Sequence, residues 1–355
     1  MILHEDKDAF RLLIEIIHQR SGYREDVLEK DYYVVLMLKE LADKQKSGLP
    51  AVFKGGTALY KALKTTNRFS EDIDLTVDTR GCSRSQNDKR LKQAAKEYSS
   101  LIRDPAAGST NRSEVVSIFR YSPVSEYDEN DALQRFGVLK IEATSFTISE
   151  PTTDLEIVPL LYELATDEEK RALEDTFKVS PFFVRTSTIE RIFIDKIFAA
   201  ESYIRRSHEP HRAFEAAKHI YDLAIMREQS SIQNLLKDEQ LLKMLLDIRI
   251  KEEINRLDGV AGVMPKNFLL ANNLSENKLL REAYGVMQSQ YVLKHEDLID
   301  FDIAVLVVKD IMSQLMKAKA WIMYEPNEEL KLLIHKAHNK QSSIESKKQE
   351  RGKHF

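Results

Sequence analysis

Two aspartates separated by a single residue, Asp72 and Asp74, are the feature of this sequence that points most directly to chemistry. They flank the start of a run, Ile73–Val77, whose apolar residues predict a β-strand. Alternate residues of a strand point to the same side, so both carboxylates are expected on one face of a sheet. Two adjacent negative charges are costly unless a cation lies between them, and Mg²⁺ prefers carboxylate and phosphate oxygens as ligands. The pair therefore predicts a magnesium site, with solvated surface acids as the alternative.

The residues before this pair form a candidate phosphate site. An apolar strand ends at Lys54, Gly55 and Gly56 follow it, and Thr57 begins a short helix. Glycine lets the backbone approach a ligand closely, and the free N–H groups at the start of a helix bind anions such as phosphate. A Gly-Gly pair before a helix also occurs as a plain tight turn. The pair therefore indicates a phosphate site only in combination with the nearby aspartates.

Joined at this spacing, the glycine turn, the helix and the Asp-x-Asp strand resemble the nucleotidyltransferase fold of the polymerase beta superfamily. More closely, GGTALYKAL followed by RFSEDIDL is similar to the AbiEii toxin family, the nucleotidyltransferase partner of bacterial abortive-infection and toxin–antitoxin pairs. The superfamily commonly has Gly-Ser where this chain has Gly56 and Thr57, but the hydroxyl is kept.

Two later segments extend the resemblance. ERIFIDKIFAA (residues 190–200) and KHIYDL (residues 218–223) are similar to family motifs in which a helical lysine and aspartate complete the site, which implies that role for Lys196 and Asp222. Considered alone, Lys196 lies at the edge of an apolar stripe, where a lysine can pack its stem and expose its ammonium. Asp222 follows Lys218 by four residues, the spacing of an intrahelical ion pair. We expect a site role for both residues.

Two polar residues near the aspartates and one segment of the predicted second helix are further candidates. Arg68 and Ser70 directly precede the acids and could contact phosphate or hold the loop, and Ser70 is suited to capping the turn. EKDYYVVLMLKEL (residues 29–41) resembles the leader helix of the family, with its first three residues as a polar signature.

A third carboxylate is expected from a neighbouring strand, since the superfamily generally has an acid there. Glu142 lies in an apolar run (residues 138–146), on the opposite side from Ile141 and Ala143. Glu156, between Leu155 and Ile157, is the competing candidate. We prefer Glu142, although it is longer than the aspartate often found at this place.

The resemblance implies a reaction that uses two Mg²⁺ ions as cofactors and an NTP as substrate. It also implies that the nucleotide is transferred to RNA, with tRNA as the leading candidate. It also implies a toxin used in phage defence and a separately encoded antitoxin. Two other classes remain open: attachment of a nucleotide such as AMP to a protein or small molecule, and a nucleotide-binding protein that transfers nothing.

The elements that must position these residues follow from apolar periodicity. Strands are predicted over residues 51–54, 73–77, 115–120 and 138–146, with a helix over 87–103 and two helices before residue 47. After Pro181, helices are predicted over residues 187–205, 210–226, 231–256, 276–291, 295–323 and 327–346. The expected fold is α+β, a mixed sheet with flanking helices followed by a mainly helical C-terminal lobe. We divide it into a nucleotidyltransferase domain with a helical cap (1–180), a helical domain (181–335) and a basic tail (336–355).

Composition sets broad limits on the class of protein. At 355 residues with 43% hydrophobic and 31% charged residues, the chain can bury a sizeable core. The single cysteine, Cys82, cannot form an internal disulfide, and no apolar run reaches the length of a membrane helix, so a cytoplasmic protein is expected. The net charge of -4 gives no general attraction to nucleic acid. The tail differs, with six Lys or Arg against two Glu, and is either a frayed solvated end or a contact for RNA.

Overall fold

The chain forms two compact units, Met1–Thr188 and Ile189–Phe355. The computed structural model describes residues 1–66, 68–125, 136–146, 150–256, 264–272 and 274–325, together with residues 328, 331–333, 335 and 336. Beyond Lys336 the predicted basic tail lies outside the described residues, as does most of the helix predicted over 327–346.

Within the described part of the first unit, seven strands form one mixed sheet. The strands are β1 (Ala51–Lys54), β2 (Ile73–Val77), β3 (Ile102–Asn111), β4 (Glu114–Arg120), β5 (Val138–Thr144), β6 (Thr152–Ile157) and β7 (Phe182–Ser187). Their order across the sheet is β3-β4-β5-β2-β1-β7-β6. Strand β2 pairs in parallel with β5 and antiparallel with β1, and β1 pairs in parallel with β7. The strand that carries the aspartate pair therefore lies in the middle of the sheet.

Helices cover the sheet of the first unit. They are α1 (Lys7–Ser21), α2 (Glu25–Lys46), α3 (Gly55–Thr57), α4 (Arg84–Ala95), α5 (Leu160–Glu163) and α6 (Asp167–Asp175). Helix α2 is buried along most of its length and packs on β7, while α4 packs on β2, β4 and β5. The apolar side chains of Phe53, Ile73 and Leu75 are fully buried in the core. Full burial of each such side chain contributes about 1.5–3 kcal/mol to stability.

One border of the sheet, strand β3, is irregular. Its pairing with β4 changes register between Asp104 and Gly108, which marks a bulge. Gly108 has a φ of 96°, and a Cβ there would overlap the carbonyl oxygen of Val116, so only glycine fits this approach.

The second unit consists of helices in its described residues. They are α7 (Ile189–Ile204), α8 (Pro210–Met226), α9 (Ser230–Leu235), α10 (Glu239–Arg256), α11 (Lys278–Tyr291), α12 (Phe301–Leu315) and α13 (Lys319–Ile322). Helix α8 packs against α7, α11 and α12. Its fully buried alanines, Ala213, Ala216 and Ala217, let the neighbouring helices approach closely. No helix in the described ranges combines the length and apolar character needed to cross a membrane.

The predicted α+β class is confirmed, but several element predictions are wrong. Strand β7 lies after Pro181, where the sequence pattern predicts only helices. Strand β3 begins where the helix predicted over 87–103 was still expected to run; that helix ends at Ala95. The helix predicted over 231–256 is divided into α9 and α10, and only α12 forms the long helix expected within 295–323.

Candidate active site

Three carboxylates lie on one face of the central strands. In the parallel pairing of β2 with β5, Asp74 lies directly opposite Glu142 and Ile73 lies opposite Ile141. Asp72 precedes Ile73, so alternation along the strand places it on the same side as Asp74. Ile73 and Ile141, which point to the other side, are fully buried. The pairing of these two strands thus brings Asp72, Asp74 and Glu142 together.

The electrostatics of this face are strained by like charges. Burial and the nearby carboxylates of Glu142 and Asp72 raise the pKa of Asp74 to about 7. The ammonium groups of Lys140 and Lys54 act in the opposite direction and lower this pKa. The net rise means that the Asp74 carboxyl holds a proton more readily than an isolated aspartate does.

Lys140 is a member of this face that sequence analysis missed. Its Nζ lies 2.8 Å from Asp72 Oδ2 and 3.9 Å from Glu142 Oε2. These acids, with Asp74, raise the pKa of Lys140 despite its burial. Lys140 lies two residues before Glu142, and that spacing on one strand was the signal that could have identified it. The Lys140 ammonium therefore offsets part of the negative charge on this face.

The glycine turn lies against the same acids. Gly55 has a φ of 81°, a conformation that favours glycine, and a Cβ at this position would overlap the carboxylate of Asp74. A Cβ on Gly56 would lie 2.9 Å from both Arg68 Nη2 and Ser70 Oγ. Gly55 is thus required by its backbone conformation and by its contact with Asp74, while Gly56 packs closely against Arg68 and Ser70.

The remaining polar residues of the turn are held by protein groups. The fully buried hydroxyl of Thr57 donates to the Asp72 carbonyl and lies 2.9 Å from Ser70 Oγ. The guanidinium of Arg68, which is 3% exposed, donates to the Phe69 carbonyl at 3.3 Å. Thr57, Ser70 and Arg68 therefore fasten the glycine turn to the segment that leads into β2.

Lys54 adds a positive charge to the row of charged residues that crosses β1, β2 and β5. It lies opposite Asp74 in the antiparallel pairing of β1 with β2, and its Nζ is 3.5 Å from Thr144 Oγ1. Lys54, Asp74 and Glu142 are therefore neighbours across three adjacent strands.

Glu156, the alternative third carboxylate, lies elsewhere on the sheet. It is exposed on β6, at the opposite border from β3, and β1 and β7 separate it from β2. Its register partner is Phe183 on β7, and neither β6 nor β7 carries Asp72, Asp74 or Glu142.

Lys196 and Asp222 meet inside the second unit. Lys196 Nζ lies 2.6 Å from Asp222 Oδ2, and the residues are 5% and 0% exposed. The packing of α7 on α8 joins them. Lys218, the partner suggested by helical spacing, forms its ion pair with Glu215 at 2.9 Å. A buried ion pair of this kind is sensitive to the loss of either member.

The donor set of the central face suits a hard divalent cation. It offers three carboxylates; burial and the charges of Glu142 and Asp72 raise the pKa of Asp74, and a bound cation would relieve the repulsion among the three acids. As the side chains stand, no three acidic, histidine or cysteine groups among the described residues are arranged to hold a metal. The Lys140 ammonium lies on the same face, 2.8 Å from Asp72 Oδ2. Asp72, Asp74 and Glu142 therefore fit Mg²⁺ in the chemistry of their donor oxygens, and Lys140 would compete with the ion for Asp72.

Comparisons with known proteins identify the family of the chain. The family model described as "Nucleotidyl transferase AbiEii toxin, Type IV TA system" matches residues 37–307. Among solved structures, the crystal structure of JHP933 from Helicobacter pylori is similar, with 16% sequence identity, a TM-score of 0.39 and coverage of 92% of this chain and 99% of that chain. The search of curated proteins finds no match.

The raised pKa of Asp74 predicts a pH-dependent effect of Asp74→Asn on stability. Below about pH 3 the carboxyl is protonated in the folded and unfolded states, so the difference in stability between the two proteins should not change with pH there. As pH rises to about 7 the wild type loses stability, since the unfolded state ionises first. At pH 8 the stability of the variant relative to the wild type should have risen by on the order of 4 kcal/mol. Urea unfolding across this range measures the difference; Asp154→Asn, at an exposed position of β6, is the control. A constant difference would contradict the prediction.

The position of Lys140 predicts that Lys140→Met tightens the binding of a divalent cation. The substitution removes the charge that competes for Asp72 and Glu142, so the Kd for Mn²⁺ should fall by about tenfold. Electron paramagnetic resonance of free Mn²⁺ measures this Kd directly. Lys89→Met, the same change at an exposed position of α4, should leave it unaltered. Equal or weaker binding by Lys140→Met would show that the ammonium does not compete.

Proposed function

The chain belongs to the AbiEii nucleotidyl transferase toxin family, and from this premise we propose that it transfers a nucleoside monophosphate from an NTP to RNA, with tRNA as the first candidate acceptor. One observation carries the proposal: Asp72, Asp74 and Glu142 share a face beside the glycine turn at Gly55. Nucleotidyl transfer needs acids that can hold metal and a backbone that a triphosphate can approach.

Asp72, Asp74 and Glu142 are the residues proposed to hold two Mg²⁺ ions. When bound, these ions would supply charge stabilisation for the triphosphate as the α-phosphorus is attacked. The charges of Glu142 and Asp72, which with burial raise the pKa of Asp74, support this role. A bound cation would stabilise the ionised Asp74 carboxylate beside these two acids. Glu142 is proposed to orient the acceptor hydroxyl and accept its proton.

The glycine turn is proposed to accommodate the β- and γ-phosphates. Gly55 and Gly56 carry no side chain that could block an approaching anion, and Lys54 brings a positive charge to the same row. Arg68, Ser70 and Thr57 keep the turn in place through their contacts around Gly56. These contacts support a positioning role for the three side chains in addition to any contact with phosphate.

Lys196 and Asp222 are proposed to act as a pair, with Asp222 holding the ammonium of Lys196. The 2.6 Å ion pair supports this, since Asp222 is fully buried and lies against the charge of Lys196. Loss of Asp222 would leave Lys196 without this buried partner.

The family description also leads us to propose a toxin role. The name places this family in Type IV toxin–antitoxin systems, so a separately encoded antitoxin is the expected partner. Modification of tRNA would stop translation and growth, which is the activity that an antitoxin must restrain.

Label transfer tests the reaction. Incubation with each α-³²P-labelled NTP, Mg²⁺ and total tRNA should label the RNA and release pyrophosphate. Asp74→Ala and Glu142→Ala should lose about 100-fold or more of the rate, because each removes a proposed metal ligand. Glu156→Ala, a matched loss of an exposed strand glutamate, should keep wild-type activity. Label on protein would point to protein nucleotidylation, and no label on any acceptor would support a non-catalytic nucleotide-binding protein.

Growth tests the toxin role separately. Inducible expression of the chain without its genomic neighbours should arrest a bacterial culture, and Asp74→Ala at equal protein level should not. Culture density and colony counts after induction measure the effect. Arrest by both proteins would mean that toxicity does not depend on the proposed transfer.

A further inference from the structure

Three consecutive charged residues of α2, Glu29, Lys30 and Asp31, are buried together. They are only 2%, 2% and 1% exposed. Charged side chains are almost never fully buried without partners, because removal from water is costly. Consecutive residues of a helix point in different directions, so each of the three reaches a different part of the first unit. These residues are also the first three of the leader-helix segment, to which the proposed reaction assigns no role.

Lys30 connects the two strands that carry the acids. Its Nζ donates to the carbonyl of Val138, the first residue of β5. The same Nζ lies 3.5 Å from Oε2 of Glu71, the residue directly before Asp72. One ammonium therefore contacts the approach to β2 and the start of β5.

The two neighbours of Lys30 hold other segments of the unit. Asp31 lies 2.9 Å from Lys61 Nζ and accepts a hydrogen bond from the Leu160 N–H at 2.6 Å. Glu29 accepts hydrogen bonds from the N–H groups of Val124 and Ser125 at 2.8 Å and 3.0 Å. Lys30 differs from both because it contacts Glu71, directly before Asp72, and Val138 at the start of β5, besides lying 6.0 Å from the centre of the Tyr121 ring.

The register of β2 against β5 decides where the acids meet. Asp74 lies opposite Glu142 only because Ile73 is paired with Ile141. A shift of one residue would turn a strand's side chains to the other face. A group that joins the starts of both strands is placed to hold this alignment.

We propose that Lys30 is a positioning residue for the acid face, setting the start of β2 against the start of β5 so that Asp72, Asp74 and Glu142 converge. It acts through Glu71 and the Val138 carbonyl and touches no substrate. This inference rests on the proposed function for its catalytic consequence, but the alignment itself can be measured without activity.

Hydrogen–deuterium exchange tests the alignment directly. Lys30→Met keeps the length of the side chain and removes its ammonium. Exchange should become faster, about tenfold or more, in peptides that cover residues 70–75 and 137–142. Lys44→Met is the matched control, because Lys44 is a lysine of the same helix whose Nζ donates to a backbone carbonyl, that of Gln93 in α4, at 2.9 Å. It should leave both segments unchanged. Wild-type exchange in both segments of Lys30→Met would overturn the proposal.

Mn²⁺ affinity and kinetics test the consequence for the site. Lys30→Met should weaken Mn²⁺ binding and lower the kcat of label transfer by about 10- to 100-fold, with a smaller change in the KM for NTP. Lys44→Met should retain both values.

A double variant separates positioning from simple stabilisation. Lys30→Met leaves the Glu71 carboxylate without the ammonium, and Lys30→Met/Glu71→Gln removes both charges. The double variant should regain stability to urea but not kcat. Recovery of both would assign Lys30 a structural role only and overturn the proposal. A wild type that neither transfers label nor binds Mn²⁺ would instead refute the proposed function, and the exchange result would still decide the alignment.

Discussion

The repulsion among three carboxylates is the constraint on which the site depends. Asp74 and Glu142 are neighbours on β2 and β5, and Asp72 lies on the same face. Burial and the like charges of Glu142 and Asp72 raise the pKa of Asp74, so the strand pairing that brings the acids together carries an electrostatic cost. The surrounding structure compensates in two ways: Lys140 supplies a positive charge on the face, and the buried helix α2 reaches both strands through Lys30. The acids stay together because the rest of the unit holds them there.

Local patterns were sufficient to predict β1 and β2 and the shared face of Asp72 and Asp74. Strand alternation requires only neighbouring residues, and the strand bounds 51–54 and 73–77 agree with the structure. The sequence around Glu142 and Glu156 is similar, with an acid between apolar residues in each case. Only the order of strands across the sheet separates them, and that order depends on distant pairing. Lys140 was missed for the same reason, since its contact with Asp72 exists only in the parallel register of β2 and β5.

Helical spacing alone favoured the wrong partner for Asp222. Lys218 lies one turn away on the same helix, yet the 2.6 Å contact is with Lys196 on α7. Tertiary packing decides which cation reaches a buried acid, and the family motifs contained that information because they place a lysine and an aspartate in one site. Strand β3 escaped prediction because its residues are mostly small, polar and exposed, so no alternation of apolar residues marks it.

The bulge in β3 also affects how the protein behaves at high concentration. An open sheet border offers unpaired N–H and C=O groups to any extended chain that meets it. Here the register change between Asp104 and Gly108 interrupts the regular spacing of the β3 N–H and C=O groups that a further strand would need for pairing. A second molecule cannot extend the ladder across this kink without losing hydrogen bonds. The irregular border thus protects the folded chain against edge-to-edge aggregation.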